Sequence, residues 1–250
     1  MSINKGRVAI ITGAAQGIGR GVALRVAQAG AYVVVNDMNG EALQELVDEI
    51  NAAGNTAIGV VADVGTKEGA DLIAKTAIDK WGKIDILFNN AGINRDALLH
   101  KMTEKQFDDV IRVNLKGCFL MMQAVYGSMR EQGYGRIINV SSSACRGNVG
   151  QANYSATKAG INAMTATAAL EFARYGITVN SICPGVIDTP MARSVPEKVW
   201  DRWMNVIPCK HIGTPDDMAE AVLFFAAEES GYINGQVIWV DGGMQTGIKM

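Results

Sequence analysis

Tyr154 and Lys158 stand four residues apart in Tyr154-Ser155-Ala156-Thr157-Lys158. On a helix that spacing places both side chains on one face, close enough to interact. A free tyrosine holds its proton to about pH 10, too high for an efficient base at neutral pH. A cation beside the ring favours the phenolate and brings proton transfer within reach. Taken alone, a Tyr and Lys pair on a helix most often decorates a surface. A second set of residues gives this pair its interest. Thr12-Gly13-Ala14-Ala15-Gln16-Gly17-Ile18-Gly19 follows an apolar β-branched run and opens an amphipathic segment. Glycines there permit a tight turn and a close backbone approach to a pyrophosphate, and the helix N-terminus favours the anion. Asp37 closes the next apolar run; a carboxylate in that place accepts hydrogen bonds from ribose hydroxyls and repels a 2′-phosphate. Its surroundings, Gln16, Asn36 and Met38, bring no cation for such a phosphate. These residues point to a nucleotide, and to NAD in preference to NADP. The alternative for Asp37 is a residue that merely forms the turn.

An alternating chain of elements has to position them. Runs at 8–12, 32–35, 56–61, 84–88, 136–140, 177–182 and 236–240 read as strands, and amphipathic segments at 17–29, 40–53, 67–81, 104–131, 153–175 and 215–229 read as helices. Strands that are apolar on both faces and separated by helices predict a parallel sheet covered on both sides. Right-handed crossovers make this α/β chain a Rossmann-type doubly wound sheet of about seven strands. No linker, low-complexity stretch or fixed-period repeat interrupts it, so residues 1–250 read as one dinucleotide-binding domain. An insertion at about 189–214 breaks the alternation. Met191, Trp200, Trp203, Met204, Val206 and Ile207 are interspersed there with Pro190, Pro196 and Pro208. Open α/β sheets bind ligands beyond the carboxyl ends of their strands, and an insertion after the sixth strand lies at that end. It reads as a lid over the substrate, with a packed surface connection or an oligomer contact as the alternatives.

Composition narrows the classes further. The net charge is −2 with no basic run, which argues against nucleic acid as a partner. No apolar run approaches the roughly 18 residues that span a bilayer. The N-terminal Met1-Ser2-Ile3-Asn4-Lys5 lacks the apolar stretch of a secretory signal. A soluble, cytoplasmic chain with no membrane partner is expected. Cys118, Cys145, Cys183 and Cys209 form no CxxC pair, and His100 and His211 have no second histidine at ligand spacing. Neither disulfides nor a metal are therefore expected.

Nearly end to end, the chain resembles the short-chain dehydrogenase/reductase family. Its glycine turn has that family's TGxxxGxG spacing. Asp63-Val64 resembles the pair that contacts adenine, Asn89-Asn90-Ala91-Gly92 the NNAG motif, and Asn114 in Val113-Asn114-Leu115 the helix asparagine of the catalytic tetrad. Tyr154 and Lys158 match the YxxxK pair, and Pro184-Gly185 the turn beside the nicotinamide. The resemblance implies that NAD is held by Gly13, Gln16, Gly17, Ile18, Gly19, Asp37, Asp63, Val64, Asn90, Ala91, Gly92, Tyr154, Lys158, Pro184, Gly185, Val186, Ile187 and Thr189. Val186 and Ile187 would face the carboxamide, and Thr189 would bond the cofactor there. It further implies that Asn114 holds a water in a proton relay to Lys158, that Lys158 bonds the nicotinamide ribose, and that Tyr154 exchanges the proton of the substrate hydroxyl.

A serine hydroxyl should steady the substrate oxygen. Counting from the strand start at Arg136 selects Ser142, whereas counting back from Tyr154 by the family's usual interval selects Ser141. Strand register is rigid while loops absorb deletions, so Ser142 is preferred. The expected activity interconverts a secondary alcohol and a ketone with NAD(H), on a hydrophobic or aromatic substrate. Two other readings stay open. Asn90–Asp96 and Gly147–Tyr154 are most similar to the 3-oxoacyl-thioester reductases, which usually take NADPH, against Asp37. The remote alternative is a nucleotide-binding protein without turnover. The resemblance also implies a homotetramer with contacts along 104–131, 153–175 and the C-terminal strand.

Overall fold

The computed structural model describes residues 5–193, 195 and 197–246. The chain runs β1 (Val8–Thr12), α1 (Gly17–Gln28), β2 (Tyr32–Asp37), α2 (Gly40–Ala52), β3 (Thr56–Val61) and α3 (Lys67–Trp81). It continues through β4 (Ile86–Asn89), α4 (Glu104–Val110), α5 (Gly117–Gln132), β5 (Gly135–Val140), α6 (Ala152–Phe172) and β6 (Ile177–Pro184). The last elements are α7 (Pro190–Arg193), α8 (Glu197–Val206), α9 (Pro215–Ala226) and β7 (Val237–Val240). Every residue of β1, β4, β5 and β6 is buried. Strands apolar throughout can only sit between two layers of helices, and that dictates the parallel arrangement.

All seven strands form one parallel sheet in the order β3-β2-β1-β4-β5-β6-β7. This is the Rossmann-type doubly wound sheet expected from the sequence. Its core divides into two apolar layers. One packs α1, α2 and α9 on the sheet through Val22, Leu46 and Phe225; the other packs α3, α5 and α6 through Ile73, Met121 and Ile161. The strand order reverses between β1 and β4, so the chain leaves their carboxyl ends in opposite directions and opens a crevice there. Among the described residues no helix is long and apolar enough to cross a membrane.

Two segments differ from expectation. Residues 104–131, read as one helix, are interrupted by a π-helical turn at Ile111–Lys116. The cause is Asn114, whose amide oxygen accepts from Ile93 N–H at 2.8 Å and whose amide nitrogen donates to Ile93 C=O at 3.0 Å. A side chain clamped to a distant loop forces the helix to take up an extra residue at that point. The insertion at 189–214 contains two helices, α7 and α8; Pro196, read as one of its breaks, lies outside the described residues.

A buried polar chain ties the layers together beneath the crevice. Asn89 on β4 donates to Asn139 Oδ1 on β5 at 2.9 Å, and Asn139 Nδ2 donates to Thr165 Oγ1 on α6 at 2.9 Å. Asn139 and Thr165 are fully buried, so neither partner has water to fall back on. Asn139→Ala leaves Thr165 Oγ1 without this partner and Asn89 Nδ2 with only its longer contacts to Cys118 at 3.5 Å, a loss of about 1–3 kcal/mol. Urea unfolding should show the unfolding free energy falling by that amount, as a lower midpoint at an unchanged m-value.

Candidate active site

The glycine turn after β1 is shaped for close approach. Gly13 and Gly17 have φ of +63° and +56°, in the left-handed region where a side chain is strained. A Cβ on Gly13 would come within 2.8 Å of Ala91 Cα, and one on Gly19 would collide with the Gly13 carbonyl oxygen. The turn after β4 is sewn to this one. Asn90 Nδ2 donates to Thr12 O at 3.0 Å and Gly13 O at 2.9 Å, while Thr12 Oγ1 accepts from the backbone N–H of Asn90 and Ala91. Gln16 lies exposed at the head of α1, and Ile18 packs behind it against the core. These residues leave a backbone-lined cradle at a helix N-terminus, which suits a pyrophosphate.

Two carboxylates stand beyond it. Asp37, at the end of β2, accepts from Ala15 N–H at 3.0 Å and from Asn39 N–H at 3.1 Å, and no cation pairs with it among the described residues. Asp63 accepts from Gly65 N–H at 2.8 Å and from the Arg112 guanidinium at 2.6 Å. Next to it, Val64 packs so closely on α5 that a Cβ at Gly117 would lie 2.9 Å from Val64 Cγ2.

On the other side of the crevice, α6 carries Tyr154 and Lys158. Lys158 as a whole is 3% exposed, and its ammonium donates to Val140 C=O at 2.7 Å and lies 5.4 Å from the Tyr154 ring centroid. No carboxylate pairs with it among the described residues. Asn153 fixes the first turn of the helix, donating to Arg95 C=O and Gln106 C=O at 2.9 Å each and accepting from Tyr154 N–H at 2.7 Å. Ser141 and Ser142 are separated by their surroundings. Ser141 is fully buried with its hydroxyl donating to Lys158 C=O at 2.9 Å, whereas half-buried Ser142 accepts from Ala144 N–H at 3.1 Å. A small cavity of about 10 Å³, room for about one water, is lined by Thr12, Asn89, Asn114, Cys118 and Val140. Burial pushes the Cys118 thiol up to about 12, so it stays protonated there.

The segment after β6 closes the arrangement. Gly185 approaches Asp241 so nearly that a Cβ would lie 2.7 Å from its Cα, which sets Pro184-Gly185 against the end of β7. Ile187 buries its side chain in the core, so its backbone is the part left to face a ligand. Val186 C=O and Asp188 N–H bond Gly213 at 3.0 and 2.8 Å, stitching the two ends of the insertion together. Thr189 caps α7 by accepting from Ala192 N–H, and its Cγ2 lies 3.2 Å from where a Gly17 Cβ would be. Asn94 Nδ2 reaches Met191 Sδ at 3.3 Å. The start of the insertion thus spans from the glycine turn to the loop after β4. Trp200 and Trp203 pack edge to face behind it at 5.7 Å.

The glycine turn, Asp63, Asn90 and Ser142 follow β1, β3, β4 and β5, Asp37 and Pro184 end β2 and β6, and Lys158 ties Tyr154 and α6 to the end of β5, so these residues gather at the carboxyl edge of the sheet. Sequence reasoning quoted Thr12 with the glycine turn but gave it no role of its own, and it did not single out Arg112 or Asn153. The partners that Thr12 and Asn153 hold are distant in sequence; nothing local marks Arg112.

A family profile described as enoyl-(acyl carrier protein) reductase matches residues 13–245. The subunit BbsD of (2S)-[(R)-hydroxy(phenyl)methyl]succinyl-CoA dehydrogenase from Thauera aromatica is 48% identical over 237 residues, 95% of this chain and 96% of that protein. The chain belongs to the short-chain dehydrogenase/reductase family. The 3-oxoacyl-[acyl-carrier-protein] reductase FabG of Thermotoga maritima is 44% identical, covering 96% of this chain and 98% of its own. The crystal structure of a putative gluconate dehydrogenase from Agrobacterium tumefaciens superposes with a TM-score of 0.94 at 32% identity, over 99% of this chain and all of that one. This is therefore an oxidoreductase of a family that uses a nicotinamide cofactor and acts on CH–OH groups. The glycine cradle fits such a group, because the bare backbone at Gly13 and Gly19 lets the turns after β1 and β4 close tightly at a helix N-terminus, where a Cβ would collide with Ala91 or the Gly13 carbonyl. Gly19→Ala should accordingly cost about 1–3 kcal/mol of stability by overpacking. It should also abolish measurable quenching of tryptophan fluorescence by a reduced dinucleotide.

Proposed function

We propose that the chain is one dinucleotide-binding domain that interconverts a secondary alcohol and a ketone with NAD(H), on a hydrophobic or aromatic substrate. The observation that carries this is the buried Lys158 ammonium beside the Tyr154 ring, with no carboxylate paired to it among the described residues. A cation held there favours the tyrosine phenolate, the form that removes a hydroxyl proton. Bound NAD supplies the hydride acceptor at nicotinamide C4. In oxidation Tyr154 takes the alcohol proton as the substrate C–H bond yields its hydride; in reduction Tyr154 returns it. Ser142 is the serine that steadies the substrate oxygen. Ala144 N–H occupies one of its lone pairs and leaves its hydroxyl proton to donate, while the Ser141 hydroxyl is spent on Lys158 C=O. Asn114 lines the one-water cavity and completes the relay toward Lys158.

Asp37 is the basis for NAD, since its carboxylate faces the glycine turn and, among the described residues, has no paired cation to accept a 2′-phosphate. Residues 189–214 act as the lid, with Met191, Trp200 and Trp203 supplying apolar surface to the substrate. By the same proposal the protein is cytoplasmic and a homotetramer with contacts along α4–α6 and β7, without nucleic-acid or membrane partners. The name of the Thauera relative describes a dehydrogenase of a benzylic alcohol carried on a coenzyme A thioester, which supports an aromatic substrate. A second reading, reduction of a 3-oxoacyl thioester, is favoured by the several FabG relatives.

The test follows absorbance at 340 nm with NAD and NADP separately, across secondary alcohols, aromatic 3-hydroxyacyl-CoA thioesters and simple 3-hydroxyacyl thioesters. NAD reduction on an aromatic alcohol is expected, falling about 10²–10⁴-fold in Tyr154→Phe, the usual contribution of general acid–base catalysis. A large preference for NADP together with simple acyl thioesters would overturn the role of Asp37 and establish the second reading.

A further inference from the structure

Arg112 brings a cation into the crevice wall beside the adenosine end of the proposed cofactor site. It lies in the π turn, two residues before Asn114, and its Nη1 meets Asp63 Oδ2 at 2.6 Å. The other carboxylate oxygen, Oδ1, is taken by Gly65 N–H at 2.8 Å. The contact is built in on both sides. A Cβ at Gly65 would lie 2.5 Å from Arg112 Nη1 and 3.1 Å from both the Arg112 carbonyl oxygen and Asp63 Oδ1, so a side chain there would push the guanidinium aside. The neighbouring acid, Asp109, is engaged by Lys105 at 2.8 Å, which leaves the Arg112 guanidinium to Asp63.

We infer that Arg112 is a positioning residue that orients the Asp63 carboxylate to accept the exocyclic amino group of adenine. The inference rests on the dinucleotide site proposed above. A carboxylate that is free to rotate offers its lone pairs in many directions; one held by a backbone N–H and a guanidinium offers its remaining lone pairs in a fixed direction. The side chains of Arg112 and Asp63 are 42% and 29% exposed, and an ion pair that open to water adds little to folding. Its effect is therefore on orientation, and it appears in binding before it appears in stability. Because the guanidinium hangs from the π turn, the same helical irregularity that holds Asn114 to Ile93 also presents Arg112 to Asp63.

The test compares two probes in fluorescence titrations of the intact protein: NADH, and reduced nicotinamide hypoxanthine dinucleotide, which carries a carbonyl where adenine has its amino group. The native protein should bind NADH more tightly than the hypoxanthine analogue. In Arg112→Gln the Kd for NADH should rise about fivefold while that for the analogue changes less than twofold, the scale of one hydrogen bond. Arg112→Lys, which keeps the charge but loses the planar fork, should fall between; it carries the test alone if Arg112→Gln does not fold. Equal weakening of both probes would overturn the inference and leave Arg112 a purely structural group. So would an unchanged NADH affinity, or a native protein that does not distinguish the probes. A native protein that binds neither probe would remove the proposed function itself.

Discussion

An ammonium group buried with no neutralising carboxylate among the described residues is the demand that the α6 side of this crevice is built around. Desolvating a cation is expensive unless strong acceptors meet it. Lys158 meets that demand with the carbonyl at the end of β5, and Ser141 returns the tie by donating to the carbonyl of Lys158 itself. Two hydrogen bonds in opposite senses therefore lock α6 onto the carboxyl end of β5. Tyr154 then has little freedom, since it precedes the lysine by one turn and its own turn is fixed by Asn153. The strand end, the helix and the ring form one unit whose geometry follows from where the charge is put.

The other half depends on backbone brought against backbone. At the point where the strand order reverses, the turns after β1 and β4 approach until glycine is the one residue that fits, and Asn90 supplies the donors that the exposed carbonyls of Thr12 and Gly13 require. The polar chain of Asn89, Asn139 and Thr165 joins this half to α6 through the sheet. The same strands that bury the core thus also set the distance between a phosphate cradle and a proton-transfer group.

Much of this was legible in the chain because its signals are local. Alternating apolar runs and amphipathic segments give the doubly wound sheet, the interval between Tyr154 and Lys158 gives a shared helix face, and the glycines announce themselves at the end of β1. What was not legible depends on partners far apart in sequence. The π turn exists because Asn114 finds Ile93, and the pairing of Arg112 with Asp63 spans a still longer interval. Ser141 and Ser142 are alike as letters. They are separated by the bond from Ser141 N–H to Ile182 C=O, which carries β5 pairing one residue further and turns the Ser141 side chain toward α6. The two helices of the insertion were hidden by its prolines, which suggested breaks without showing where helix resumes.

The π turn also sets an angular phase between the helices on either side of it. Each residue advances an α-helix by about 100°, so a chain one residue shorter between Val110 and Gly117 would turn α5 by that angle relative to α4. Met121, Val125 and Met129, which now form a continuous buried stripe against the sheet, would swing away from it. The extra residue taken up around Asn114 is thus also a length constraint, and a single-residue deletion there would be felt along the whole of α5.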